Sequence, residues 1–160
     1  MTGIRPVDVP TARAYRRSTY HAGGMVLRVG CRPVAGQGDA QGDRRSGIRG
    51  DIVFISAANP GGRRRPDGWN ERMMARLAAH LAGVPARRGE GRLGRWGEPL
   101  FAARMPLARA RVLARRFRQN ALLLVRDGGP ARLVFLASLL EDAGRGQGNR
   151  SGLGFSLRSG

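Results

Sequence analysis

The sequence predicts an α+β fold: a two-layer sandwich in ferredoxin-like β-α-β-β-α-β order, with an added N-terminal strand and an added C-terminal hairpin strand. Three observations predict it. Asp51–Ala57 is an apolar, β-branched run of the kind that fills a strand buried on both faces. It stops at Asn59-Pro60-Gly61-Gly62, where proline removes a donor and the glycines permit positive φ. Two later stretches, from Asp67 and from Pro106, repeat apolar residues at helical spacing. Finally, the apolar runs Ala121–Val125 and Arg132–Ala137 flank Asp127-Gly128-Gly129-Pro130, a hairpin signal.

In chain order, residues 1–22 carry Pro6, Pro10 and scattered arginines without a sustained period, which predicts an irregular N-terminal arm tacked to the body by Tyr15 and Tyr20. Residues 23–142 read as a single α+β domain. Met25–Val29 makes its first short strand, and the Gly-, Asp-, Gln- and Arg-rich stretch 31–50 reads as a mobile loop. After the central strand, the first helix is expected near Asp67, with that carboxylate capping the first turn. Trp69, Met73, Leu77 and Leu81, joined by Met74 and Ala78, form its apolar stripe, and Gly83 stops it. Val84–Arg92 reads as a polar, edge-like strand, Gly94–Pro99 as a turn and Leu100–Met105 as a further strand. Pro106 suits the first position of the second helix. There Leu107, Ala110, Leu113, Ala114 and Phe117 share one face, opposite Arg109, Arg111, Arg115, Arg116 and Arg118. A helical turn over Ser138–Asp142 and a disordered Gly/Arg-rich tail, 143–160, complete the chain.

The charge is lopsided: 29 basic residues against 11 acidic ones, for a net +18. Every basic residue is arginine. With 25 glycines and many alanines this pattern fits the codon bias of a GC-rich genome. Charge of this kind speaks to non-specific association with polyanions rather than to fold. Cys31 stands alone, which excludes an internal disulfide and fits a reducing compartment. The N-terminus lacks the apolar core of a signal peptide and no apolar run reaches spanning length. A cytoplasmic protein with no membrane contact and no cofactor is the expectation.

Several short motifs recur in a known order: Ala14-Tyr15-Arg16-Arg17-Ser18-Thr19-Tyr20, Phe54-Ile55-Ser56-Ala57-Ala58-Asn59-Pro60, Asn70, Trp96-Gly97-Glu98 and Phe117-Arg118-Gln119-Asn120-Ala121. On these motifs the chain resembles a bacterial family catalogued only as domain of unknown function 3293, over residues 14 to 137. Pro99 departs from the family pattern, which has a serine there. The resemblance implies no activity and supplies no catalytic residue.

Asn59, Asn70, Glu98 and Gln119 are the polar residues inside those motifs. Together they could line a pocket in which Glu98 acts as acid or base; alone, each amide could simply satisfy turn and cap backbone. Gly61 and Gly62 followed by Arg63, Arg64 and Arg65 could hold an anion at the helix start, although the loop is neither a P-loop nor a dinucleotide fingerprint. His21, His80 and Cys31 cannot build a tetrahedral metal site, and a Cys31–His80 nucleophile pair has little to recommend it. The function expected from these residues is a small basic binding module, with nucleic acid or another polyanion as partner. The alternatives are an enzyme, a hydrolase or transferase acting on a phosphorylated small molecule, and a protein-interaction accessory domain.

Overall fold

The computed structural model describes residues 6–36 and 49–136. Among these, three helices and eight strands run in the order α1 (Val9–Arg17), β1 (Thr19–Ala22), β2 (Met25–Arg28), β3 (Val34–Ala35), β4 (Asp51–Ile55), α2 (Asp67–His80), β5 (Ala86–Leu93), β6 (Trp96–Arg104), α3 (Leu107–Arg116), β7 (Ala121–Arg126) and β8 (Arg132–Phe135). The strands form one sheet in the order β3-β2-β1-β5-β6-β4-β7-β8, with antiparallel neighbours throughout. The sheet curls. Just beyond β2, Val29 bridges Ala131 just before β8, and Gly30 N donates to Ala131 O at 2.8 Å. Ala131 N returns a 2.8 Å bond to Cys31 O, so strands from opposite ends of the sheet meet and the sheet becomes a half-barrel. Gly89 marks the tightest approach within it, because a Cβ there would collide with His21 O and Ala22 of β1.

Side chains of β4 alternate between two apolar clusters, as strand geometry requires. Val53 and Ile55 face α2 and α3, meeting Met74, Leu77 and Leu81 from the first and Ala110, Leu113, Ala114 and Phe117 from the second. Both helices therefore cover the same face of the sheet. Ile52 and Phe54 point into the curve, beside Tyr20, Leu27, Leu100, Leu123 and Val125. Four of the five residues of β4 are buried, the pattern expected of a strand covered on both sides.

Several expectations need correction. The arm 1–22 is not irregular across its described part: Asp8 Oδ1 accepts from Thr11 N at 2.8 Å and starts α1, and β1 then pairs with both β2 and β5. Proline near a helix start is compatible with a helix, which is why Pro10 misled. Within 31–50, Val34–Ala35 pairs with β2; residues 37–48 lie outside the described residues, as do the Ser138–Asp142 turn and the 143–160 tail. Asp67 makes no cap bond, since Pro66 occupies the cap position and Asp67 is the first helical residue. The buried stripe of α2 is Asn70, Met74 and Leu77 with Leu81, whereas Trp69 and Met73 are half-buried and Ala78 is exposed. Only Gly94 and Arg95 turn the β5–β6 hairpin, so Trp96, Gly97, Glu98 and Pro99 are strand residues. Pro99 is tolerated because the β6–β4 ladder begins at Phe101 and asks for no donor from it. Pro106 caps α3 rather than opening it.

Candidate functional site

The site is built where β4 ends. Asn59 lies in the left-handed region (φ 46°, ψ 58°), a conformation asparagine tolerates better than most residues. Its surroundings hold it there. Asn59 N donates to Asn70 Oδ1 at 3.0 Å, and Asn70 Nδ2 donates back to Asn59 Oδ1 at 3.0 Å and to Arg65 O at 3.2 Å. Arg65 N adds a 2.9 Å bond to Asn59 Oδ1. This leaves Asn59 Nδ2, which donates to Glu98 Oε2 at 3.3 Å. Gln119 reaches the same turn from the loop between α3 and β7, its Nε2 donating to Ala58 O at 2.9 Å.

Of the predicted site residues, Asn59, Asn70, Glu98 and Gln119 are thus brought together around one turn. Asn70 and Gln119 give their hydrogen bonds to backbone or to Asn59, so their amides organise the loop. Glu98 differs. The ion pairs among the described residues are Arg88–Glu71, Arg92–Glu90 and Arg126–Asp51, which leaves Glu98 without a cation. Burial pushes its carboxyl from an ordinary 4.5 up to about 7; the Asn59 amide opposes the shift, and the Ser56 hydroxyl opposes it less. Ser56 has one proton, and Pro99 O accepts it at 2.7 Å.

Glu98 lines a cavity of about 90 Å³ that opens at the end of the half-barrel between Tyr15, Tyr20, Ser56, Trp96 and Gln119. Burial raises the Tyr15 hydroxyl and takes Tyr20 to about 12, so both phenols stay neutral. Asn120 Nδ2 donates to Tyr15 Oη at 3.0 Å and Tyr20 Oη donates to Tyr15 O at 2.8 Å, which fastens α1 across one wall. Trp96 and Pro99 are shared with a larger cleft of about 410 Å³, whose other walls include Asn59, Arg64, Arg65 and Arg95.

Four of the five amides of the Gly61–Arg65 loop are already bonded within the protein, Arg64 N being the exception. Gly61 N donates to Arg118 O, Gly62 N to Asn59 O and Arg63 N to Pro60 O. Its guanidinium groups remain available: Arg64 lies 5.7 Å over Trp96 and Arg65 lies 5.6 Å over Trp69. Elsewhere, His80 packs edge-on against Phe117 and Cys31 is exposed in the turn after β2. Among the described residues no three His, Cys, Asp or Glu side chains gather as metal ligands would, and no helix is long and apolar enough to cross a membrane. Sequence reasoning missed Ser56, Arg95 and Trp96 as site residues, although Ser56 and Trp96 stood inside the motifs that carry the resemblance.

Residues 55–122 match the model of a family described as "Protein of unknown function (DUF3293)", in agreement with the motifs. The matched stretch includes Ser56, Asn59, Asn70, Trp96, Glu98 and Gln119. No curated protein and no solved structure matches the chain.

Proposed function

Starting from a family match that carries no activity, we propose that this chain binds an anionic small molecule beside Glu98 and exchanges a proton with it through that carboxyl group. One observation carries the reading: a half-buried carboxylate, held by a single amide at 3.3 Å and among the described residues by no cation, lines a cavity that adjoins an arginine-lined cleft. Burial of an unpaired charge is costly, and stability alone gives no reason to put one at a cavity wall. A carboxyl group titrating near neutrality can both accept and donate a proton at working pH. Asn59 fixes its orientation, and the amides of Asn70 and Gln119 keep Asn59 in place. The arginines supply the attraction for an anion, phosphate or carboxylate.

The reading of the fold as ferredoxin-like belongs with this proposal. It is supported over Asp51–Arg126 by the β-α-β-β-α-β chain order and by the neighbours β5-β6-β4-β7. A cytoplasmic location rests on the lone cysteine. For a nucleic-acid partner the support is thinner, since the exposed arginines of α3 and the net +18 would attract any polyanion alike.

A thermal-shift screen of phosphorylated and carboxylated small molecules tests the main reading, run on wild type and Glu98→Gln between about pH 5 and pH 8. At least one anion should raise the melting temperature, with a pH dependence that Glu98→Gln abolishes. Binding whose pH profile is the same in both proteins would rule out the role of Glu98.

A further inference from the structure

We propose that the cleft beside Glu98 is a nucleotide subsite: a nucleoside monophosphate lies there with its base on Trp96 and its phosphate among Arg64, Arg65 and Arg95. This rests on the anion-binding reading above and names the ligand class. Size gives the first argument. The cavity at Glu98, about 90 Å³, is smaller than the ~150 Å³ void that admits benzene, so an aromatic ring must lie outside it. The cleft, about 410 Å³, falls within the roughly 300–1,000 Å³ of small-molecule sites.

The second argument concerns Trp96. It is one of the few large apolar side chains left open among the described residues, 43% exposed, and it walls both the cavity and the cleft. A two-residue turn, Gly94-Arg95, places it at the tip of the β5–β6 hairpin. With Arg64 over the ring on one side, the exposed remainder of the indole is a stacking platform, because every nucleobase offers a π-face. The third argument concerns charge. Arg64 and Arg65 lie over the Trp96 and Trp69 rings, and neither guanidinium makes a side-chain hydrogen bond among the described residues, which leaves their N–H groups free for bidentate contact with phosphate. Neither they nor Arg95 enters an ion pair among the described residues. Two acids also line the cleft. Glu71 is already paired with Arg88 at 2.6 Å, so Asp67 is left as the one carboxylate opposing three guanidinium groups. With the phosphate on the arginines and the base on Trp96, the nucleotide spans the mouth of the cavity and brings one edge toward Glu98.

Calorimetric titration of the full chain separates the parts, using adenosine, guanosine, cytidine and uridine monophosphates, ribose phosphate (the anion without a ring) and adenosine (the ring without an anion). At least one nucleotide should bind about tenfold or more tightly than ribose phosphate, the advantage that a stacked base supplies. Trp96→Ala should reduce that nucleotide to the level of ribose phosphate, whereas Trp96→Phe keeps most of the advantage. Arg64→Ala combined with Arg95→Ala should weaken nucleotide and ribose phosphate alike and leave adenosine unchanged. Ribose phosphate binding as well as every nucleotide, or Trp96→Ala without effect, would overturn the base subsite while leaving the anion site standing. Failure of every phosphate to bind would overturn both. The melting temperatures of the variants, expected to match wild type because these side chains are surface-exposed, guard against misfolding as the cause.

Discussion

The two faces of β4 are built from alternate residues of one five-residue strand, yet they end differently. On the face carrying Val53 and Ile55, α2 and α3 seal the sheet with aliphatic side chains and Phe117. On the face carrying Ile52 and Phe54, the sheet closes on itself and leaves a cavity at one end, with Glu98 in its wall. The contrast teaches where to look for function. The sealed face is packed by apolar side chains, with Asn70, the one polar member of the α2 stripe, already bonded to Asn59 and Arg65 O. Its residues therefore serve stability, whereas the curled face tolerates a neutral-range carboxyl, two phenols and an open indole.

The comparison breaks most visibly on the sealed face. Phe117→Ala removes a ring that closes the cluster between α3 and β7, and should cost about 3–5 kcal/mol of unfolding free energy in a denaturant titration. A loss near zero would mean that the helical face is not sealed.

Glu98→Gln should have the opposite sign. A carboxyl raised from 4.5 to about 7 in the folded state binds its proton more tightly folded than unfolded. The stabilisation from that proton is fully present below about 4.5 and is lost as pH rises through about 7. Above neutrality the variant should therefore be more stable than wild type, by up to about 3 kcal/mol, and its stability should be flatter with pH. Equal stability of the two proteins at every pH would place Glu98 in water instead of a cavity wall.

Asn70→Ala probes the joint between the faces. It strips Asn59 N of its acceptor, and a buried donor left unpaired costs about 1–3 kcal/mol. A loss beyond that range would mean the whole turn collapses. Smallest of all is Trp96→Ala, expected to shift stability by no more than about 0.5 kcal/mol because the ring is open to solvent. A large loss there would turn the indole into core and contradict its reading as a platform.

Much of the sealed face was legible in the sequence, because it follows local periodicity. Ala110, Leu113, Ala114 and Phe117 fall on one helical face by spacing alone, and all four are buried. Asp127 and Gly128 both take positive φ, as the hairpin signal required. The curled face was not legible. Its closure depends on Val29 meeting Ala131 across more than a hundred residues, and no local pattern encodes such a pair. Helix α1 was hidden by Pro10, and the strand character of Trp96–Pro99 by glycine and proline that only an interrupted ladder accommodates. Within the site, the motifs nominated Asn59, Asn70, Glu98 and Gln119 but could not say which was different. Three of them satisfy each other or the backbone, and the distinction of Glu98 comes from its placement in a cavity wall with no cation beside it among the described residues, a property of the assembled fold.

Titration of the Glu98 side-chain carboxyl by carbon-detected NMR, assigned through Glu98→Gln, is the most direct test of that distinction. The structure predicts a midpoint about 7, well above the ordinary 4.5. A midpoint at the ordinary value would contradict it, for a carboxyl group that titrates as if in water cannot be the desolvated group on which the proposed chemistry depends.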